Sequence, residues 1–193
     1  MKRNKIKRFS ISRHVTFNGR RRVGLDTNIL RKIYEQPYLL ELEASKIFNK
    51  KDLLFTHSVC LHEFTNYLSS RKGLSYDKAK NEAKEFIKSR NVWIIYHKEC
   101  PITTTESEAF EEESNKKLTG MGKEYLNCHK PDSIILLALK KKGINRVIST
   151  DETVRICARF LGMDGSNIPS FDVAVDRELK KNHKFYKKFY KKK

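Results

Sequence analysis

The sequence predicts an α/β domain, a three-layer α/β/α sandwich with a mostly parallel central sheet. Short apolar runs alternate with segments of helical periodicity along the whole chain. The apolar runs are continuous, which is typical of strands covered by helices on both faces of a sheet. The 193 residues suffice for one domain with a hydrophobic core, and the sequence contains no internal repeat.

The first half of the chain contains three of the predicted strands. The first strand, over 22–26 (RVGLD), is a short apolar run that ends on an acid. Helical patterns follow over 27–36 and 38–49, and Pro37 separates them. Next come a strand over 52–56, helices over 57–71 and 75–90, and a strand over 92–96.

The second half continues the alternation. An acidic helix is predicted to begin near Thr105, with Glu108 three residues later as the acid of a capping box. Pro131 opens an apolar helix that reaches about residue 142 and ends at Gly143. The last predicted elements are a strand over 146–150, a helix over 151–161, a strand near 168–174 and a basic aromatic helix at the end of the chain.

The positive charge is concentrated at the two ends. The net charge is +18, yet residues 1–22 contain nine basic and no acidic residues, and residues 176–193 contain nine basic and two acidic ones. We therefore divide the chain into a flexible basic arm (1–21), a domain (22–175) and a basic aromatic tail (176–193) with a helical pattern. Cationic segments attract polyanions, most often nucleic acid, although a solvated tail that aids solubility is the alternative. The candidate RNA-binding residues are Arg20, Arg21, Arg22, Lys180, Lys181, Lys184, Lys187 and Lys188.

Several classes of protein are disfavoured by the composition. No apolar run is long enough to span a bilayer, and the basic start lacks the apolar stretch of a secretory signal, so we expect a cytoplasmic protein without a membrane partner. The four cysteines form no CxxC pair, which disfavours a zinc ribbon and favours reduced thiols.

Four acidic residues are predicted to meet at one edge of the sheet. Asp26 and Asp151 each follow a strand, Asp132 begins an apolar helix, and Glu63 lies one turn into the helix after the second strand. Each one alone is typical of a helix cap or an ion pair. Together they repel one another unless a cation neutralises them, and oxygen ligands favour Mg²⁺ or Mn²⁺. Such a cluster is suited to metal-assisted hydrolysis of phosphodiesters.

The order and spacing of these acids resemble those of the PIN-domain nuclease superfamily, which includes VapC-like and archaeal-type PIN ribonucleases. The residues that carry the resemblance are Asp26-Thr27-Asn28-Ile29-Leu30, His62-Glu63-Phe64, the segment Pro131-Asp132-Ser133-Ile134-Ile135-Leu136-Leu137-Ala138-Leu139 with Gly143, and Val147-Ile148-Ser149-Thr150-Asp151. The resemblance covers about residues 22–165. It implies an α/β/α sandwich and a Mg²⁺- or Mn²⁺-dependent endoribonuclease acting on structured RNA.

The resemblance also implies roles for individual residues. Asp26, Glu63, Asp132 and Asp151 are the expected catalytic and metal-binding quartet. Asn28 is expected to brace Asp26, and Thr150 or Ser149 to hydrogen-bond a carboxylate or water. Glu152 is either an accessory acid or a first-turn helix residue. The two cationic ends are a departure from the small toxin members of the family.

Alternatives remain open at this point. The second hypothesis is a PIN-fold protein with little activity that works as an RNA-binding or ribonucleoprotein assembly factor. The third is a HAD-type phosphatase, which expects a second acid where this chain has Asn28. A toxin with a protein antitoxin and an RNA-maturation enzyme bound to ribosomal particles are equally compatible with the quartet, as is a homodimer. The RNA target and the number of metal ions are not specified by the sequence.

Overall fold

A five-stranded sheet in which all strands are parallel forms the centre of the molecule. The computed structural model describes residues 20–37 and 52–167. The strands are β1 (Arg22–Leu25), β2 (Leu53–His57), β3 (Val92–Ile95), β4 (Arg146–Ile148) and β5 (Asp164–Ser166). Their order across the sheet is β3-β2-β1-β4-β5, so β1 is central and β3 is an outer strand. The predicted α/β class with a parallel sheet is confirmed.

Helices connect the strands. They are α1 (Thr27–Glu35), α2 (Ser58–Lys72), α3 (Tyr76–Ser89), α4 (Thr104–Gly120), α5 (Lys130–Lys141) and α6 (Glu152–Phe160), with a short 3₁₀ helix at His97–Glu99. Right-handed crossovers in this strand order place α1, α2 and α3 on one face and α4, α5 and α6 on the other. Accordingly α2 packs against α1 and α3, and α5 packs against α4 and α6, which gives the predicted three layers.

The core lies between the sheet and these two helical layers. Val23 and Leu25 of β1 are fully buried, as are Leu136 and Leu139 of α5. A Cβ atom on Gly24 would lie 2.7 Å from Cδ1 of Leu139, so the glycine allows α5 to pack close to the central strand. This close packing fixes the position of α5, the helix that carries Asp132.

One local expectation differs from the structure. The capping box of α4 is formed by Thr103 and Glu106, because Thr103 Oγ1 accepts from the Glu106 amide at 3.2 Å and Glu106 Oε2 accepts from the Thr103 amide at 2.9 Å. The prediction of Thr105 and Glu108 was wrong by two residues, since Thr103 is the last extended residue before the helix, and Glu108 instead contacts Lys130. The strand that follows α6 is β5 at Asp164–Ser166.

Some expectations fall outside the described residues. These are the helix over 38–49, the strand over 168–174, the first nineteen residues of the basic arm and the whole C-terminal tail. Within residues 20–37 and 52–167, no helix has the length and apolar character needed to cross a membrane.

Candidate active site

Four different elements supply the predicted quartet. Asp26 directly follows β1 and is the N-cap of α1, and Asp151 occupies the same position before α6. Glu63 lies in the second turn of α2, and Asp132 lies in the first turn of α5. The four carboxylates are close enough that the charges of the other three raise the pKa of Asp132. The parallel sheet therefore brings residues separated by more than a hundred positions into one electrostatic cluster.

Asp26 is the most enclosed member of the cluster. Its side chain is only 7% exposed and accepts three hydrogen bonds, from the Thr27 amide at 2.7 Å, Asn28 Nδ2 at 2.6 Å and Ser149 Oγ at 2.7 Å. Burial raises the pKa of Asp26, and the charges of Glu63 and Asp151 raise it further. The bonds from Ser149 and Thr27 act in the opposite direction, because they stabilise the ionised carboxylate.

The hydroxyl of Ser149 connects the loops after β1 and β4. It is fully buried, donates to Asp26, and accepts from the Asp151 amide at 2.9 Å and from Asn28 Nδ2 at 3.1 Å. Asn28 completes the link, since its Oδ1 accepts from the Thr150 amide at 3.0 Å. The contact of Thr150 with the site is thus made by its backbone. These hydrogen bonds join the segment that carries Asp26 to the segment that carries Asp151.

Asp151 caps α6 and is exposed to solvent. Its Oδ1 accepts from the amides of Thr153 at 2.7 Å and Val154 at 3.4 Å, which caps α6, and the residue as a whole is exposed. Arg155 Nη1 donates to the carbonyls of Ser149 at 3.2 Å and Thr150 at 2.7 Å. Sequence analysis missed Arg155, although its position one helical turn after Asp151 was the available signal.

Glu63 is oriented by a residue that sequence analysis also missed. The Thr27 hydroxyl donates to Glu63 Oε2, and Thr27 itself is buried beside Asp26. The contact joins α1 to α2 at the site. The available signal was the position of Thr27 between Asp26 and Asn28 in the first motif.

Asp132 is the second member of the cluster with a raised pKa. Its side chain is 16% exposed, and its Oδ2 lies 3.4 Å from Nδ1 of His129. Burial raises the pKa of Asp132 to about 7, and the charges of Asp26, Asp151 and Glu63 contribute to the rise, whereas His129 opposes it. A carboxyl in this state binds either a proton or a cation near neutral pH.

Glu152 has a separate partner. Its carboxylate forms an ion pair with Lys123 Nζ at 2.5 Å, and this contact lowers the pKa of Glu152. The residue occupies the first turn of α6, which matches the structural alternative for this acid.

Two of the three arginines at the start of β1, Arg21 and Arg22, have partners within the protein. Arg20 is exposed. Arg21 forms a bidentate pair with Asp52, with distances of 3.1 and 2.9 Å, and Arg22 Nη1 donates to the Lys142 carbonyl at 2.9 Å. The predicted RNA-binding lysines of the tail lie outside the described residues, so RNA binding by both groups stays a prediction.

The donor set is suited to a hard divalent cation, but it does not form a closed ligand set. All four candidate ligands are carboxylates, the ligand type that hard divalent cations prefer, and burial together with neighbouring charges raises the pKa of two of them, Asp26 and Asp132. In the described part of the chain, no three His, Cys, Asp or Glu side chains are arranged to hold a metal ion. Three of the carboxylates already accept hydrogen bonds within the protein: Asp26 from three groups, Glu63 from Thr27, and Asp151 Oδ1 at the cap of α6.

Comparison with known proteins adds a structural neighbour. No family model and no curated protein match the sequence. Among solved structures, the chain is similar to one chain in the crystal structure of VapBC2 from Rickettsia felis bound to a DNA fragment from their promoter. The sequence identity is 16%, the match covers 76% of this chain and 98% of that chain, and the TM-score is 0.47.

Proposed function

We propose that the protein is a metal-dependent endoribonuclease of the PIN type, which hydrolyses phosphodiester bonds in structured RNA. One observation carries the proposal: four carboxylates come from four separate elements at one edge of the sheet, where burial raises the pKa of Asp26 and Asp132 and the charges of other members of the quartet raise both further. A helix cap or an ion pair needs only one carboxylate. Several carboxylates placed close together repel one another unless a cation neutralises them. The sequence motifs around these acids support the same function.

Asp26, Glu63, Asp132 and Asp151 would hold Mg²⁺ or Mn²⁺. When bound, such an ion activates water and stabilises the charge that develops on the phosphate. Asn28 and Ser149 hold Asp26 in position through their hydrogen bonds, and the bond from Ser149 favours the ionised carboxylate. Thr27 orients Glu63, and Arg155 holds the loop between β4 and α6.

The charge distribution supports a polyanionic substrate. The chain carries a net +18, and most of this positive charge lies in the terminal segments. Positive charge outside a negatively charged cleft attracts RNA by its phosphates and leaves the acidic residues available for the metal. We propose a cytoplasmic role in RNA processing or as a toxin-type ribonuclease, with a ribosomal particle or a protein antitoxin as the respective partner.

A second function, that of an RNA-binding assembly factor with little activity, is supported by one observation. Glu63 and Asp151 already satisfy contacts within the protein, and no closed metal site is formed among the described residues. A HAD-type phosphatase is disfavoured, because the position of its second acid is occupied by Asn28, which donates to Asp26.

The test is cleavage of labelled structured RNA by the full chain with added Mn²⁺ or Mg²⁺, with and without a chelator. We compare the wild type with Asp26→Asn and Asp132→Asn. The matched control is Glu99→Gln, which removes one exposed carboxylate from the 3₁₀ helix. Loss of a carboxylate that holds a catalytic metal is expected to lower the rate by about 100-fold or more.

Metal-dependent cutting that persists in the control and is lost in both Asn variants supports the nuclease. Cutting that survives in both variants, or that does not respond to the chelator, contradicts it. Tight RNA binding without cutting under any condition favours the assembly factor.

A further inference from the structure

A hydrogen-bonded chain of three polar side chains connects α2 to α3 beside the candidate active site. Tyr76 is the first residue of α3, and its hydroxyl oxygen lies 2.8 Å from Nδ1 of His62 on α2. The other ring nitrogen of His62, Nε2, accepts from Nδ2 of Asn66 at 3.3 Å. All three residues are exposed. The chain therefore lies on the surface, where a ligand can reach it.

The contact with Asn66 fixes where the protons of this chain lie. An amide nitrogen can only donate, so Nε2 of His62 accepts, and in the neutral imidazole the proton is then on Nδ1. Nδ1 in turn donates to the hydroxyl oxygen of Tyr76. The hydroxyl proton of Tyr76 consequently points away from the histidine, and it has no acceptor among the residues that the structure describes. Tyr76 thus has one hydrogen-bond donor available to a ligand.

A lysine adds positive charge beside this donor. Lys80 lies one helical turn after Tyr76 on the same side of α3, and its Nζ is 5.8 Å from the centre of the Tyr76 ring. Within residues 20–37 and 52–167, Lys80 forms no ion pair. The acid that follows Tyr76, Asp77, lies on another side of the helix, because consecutive helical residues do not face each other. A hydroxyl donor and an ammonium group so placed are complementary to an anionic oxygen.

This chain is continuous with the acidic quartet. His62 precedes Glu63, and Asn66 lies three residues after Glu63, so both are neighbours of that acid on the surface of α2. Glu63 itself is half-buried and accepts from the Thr27 hydroxyl. A ligand that extends from the quartet along this side of α2 therefore meets His62 and Asn66, and then the hydroxyl of Tyr76.

From this arrangement we infer that Tyr76 and Lys80 bind a backbone phosphate of RNA beside the quartet. His62 and Asn66 are positioning residues, because they act by holding the Tyr76 hydroxyl. Contacts to phosphate set the register of a nucleic acid on a protein without reading its sequence. The bound phosphate would thus hold the strand so that a neighbouring phosphodiester bond lies at the quartet. The inference rests on the proposed function in taking RNA as the ligand.

Another tyrosine–lysine pair of the domain provides the matched control. Lys123 Nζ lies 5.8 Å from the centre of the Tyr125 ring, the same distance as in the Tyr76–Lys80 pair. Here the lysine donates to the Tyr125 hydroxyl at 3.3 Å, and its charge is neutralised by the ion pair with Glu152. Tyr125 is 72% exposed. Tyr125→Phe therefore removes an exposed hydroxyl without removing a site of the inferred kind.

The first test measures RNA binding by the full chain in chelator, so that the RNA is not cut. We follow the anisotropy of a labelled RNA hairpin at several salt concentrations. Tyr76→Phe removes only the hydroxyl and is expected to weaken binding by about 10-fold, the effect of one hydrogen bond to a charged group, with an unchanged log–log salt slope. Lys80→Gln is expected to reduce the slope by about 0.9, the duplex value for one phosphate contact. Circular dichroism verifies the fold of each variant.

A double-mutant cycle tests the positioning role of His62. If the ring acts through Tyr76, His62→Ala is expected to weaken binding in the wild type and to have no further effect in Tyr76→Phe. A residue that only stabilises the packing of α2 against α3 would act equally in both backgrounds. Additive losses would therefore overturn the positioning role.

The control and the cleavage assay complete the test. Unchanged affinity in Tyr76→Phe, or an equal loss in Tyr125→Phe, would overturn the inference. With Mn²⁺, Tyr76→Phe is expected to raise KM and leave kcat nearly unchanged, because the phosphate that it binds is not the one attacked. The expected binding losses without cleavage by the wild type would contradict the nuclease and leave the phosphate site supported. Cleavage by the wild type with unchanged affinity in Tyr76→Phe would contradict the phosphate site alone.

Discussion

The buried hydroxyl of Ser149 shows how single atoms define the candidate site. A hydroxyl has one proton to donate and two lone pairs, and here it donates to Asp26 while it accepts from the Asp151 amide and Asn28. An alanine at this position would remove one of the three hydrogen bonds to the buried Asp26 carboxylate and the side-chain acceptor of the Asp151 amide. The bond from Ser149 lowers the pKa of Asp26 and so acts against the larger effect of burial.

His57 provides a pH-dependent contribution to stability. The residue is fully buried at the start of α2, where its Nδ1 accepts from the Val59 amide at 3.3 Å. Its Nε2 has no hydrogen-bond partner among the described residues. Burial lowers the pKa of His57 to about 4, and the neighbouring His97 contributes. The folded protein therefore favours the neutral ring.

We predict that this group makes the protein less stable as the pH falls. Because the folded pKa of His57 is depressed, its stabilising contribution is fully present above the unfolded value of about 6.5 and is lost as the pH falls toward 4. The loss amounts to at most about 3 kcal/mol. His57→Asn keeps an N-cap acceptor and cannot take up a proton. Urea unfolding at several pH values should give a flatter profile for the variant, and parallel profiles for the two proteins would contradict the assignment.

At the scale of elements, α6 and β5 pack closely against each other. Gly165 of β5 lies against the backbone of α6, and a Cβ atom built on it would be 2.0 Å from the carbonyl oxygen of Arg155. Arg159 Nη2 donates to the Gly165 carbonyl at 2.8 Å. Since Asp151 is the N-cap of α6, this contact helps to fix one member of the quartet.

We predict that Gly165→Ala destabilises the protein by about 3 kcal/mol, at the upper end for overpacking, because the opposing atoms are backbone and cannot rotate away. The matched control is Gly120→Ala at the end of α4, where the added methyl group would meet no atom within 4 Å. The control is expected to be neutral or slightly more stable. Thermal unfolding of both variants gives the comparison, and similar melting temperatures would show that α6 and β5 can separate at little cost.

At the scale of the whole molecule, most of the positive charge lies in sequence outside the segment that contains the four candidate acids. The chain has 41 basic residues against 23 acidic ones. Nine basic residues stand in 1–22 and nine in 176–193, whereas the quartet comes from the segment between them. Cationic segments of this kind attract polyanions.

We predict that the tail contributes to RNA affinity mainly by its charge. Replacing Lys180, Lys181, Lys184 and Lys187 by Gln should weaken binding to structured RNA and reduce the log–log salt slope by up to about 4, the duplex value for four phosphate contacts. The matched control replaces four exposed lysines of the described domain, Lys78, Lys98, Lys116 and Lys140. Salt titrations of both variants decide the question, and a tail variant with an unchanged slope would contradict RNA binding by these lysines.

The sequence by itself determined the class of the fold and the candidate quartet. The short apolar runs within 22–25 and 92–95 predicted strands of a sheet between helical layers, and acids that follow parallel strands share an edge of that sheet. Periodicity and order along the chain are sufficient for such statements, because they depend on which residues are apolar and where each element ends.

Tertiary structure alone decided which atoms meet. Three contacts depend on how the helices pack across the sheet. Thr27 donates to Glu63, Arg155 donates to carbonyls of the loop after β4, and Glu152 pairs with Lys123. The exposure of Trp93 is of the same kind, because VWII has the pattern of a covered strand and only the position of β3 at the outer edge leaves this side chain open. Local sequence specifies an element, whereas its neighbours in the sheet specify what that element presents to a ligand.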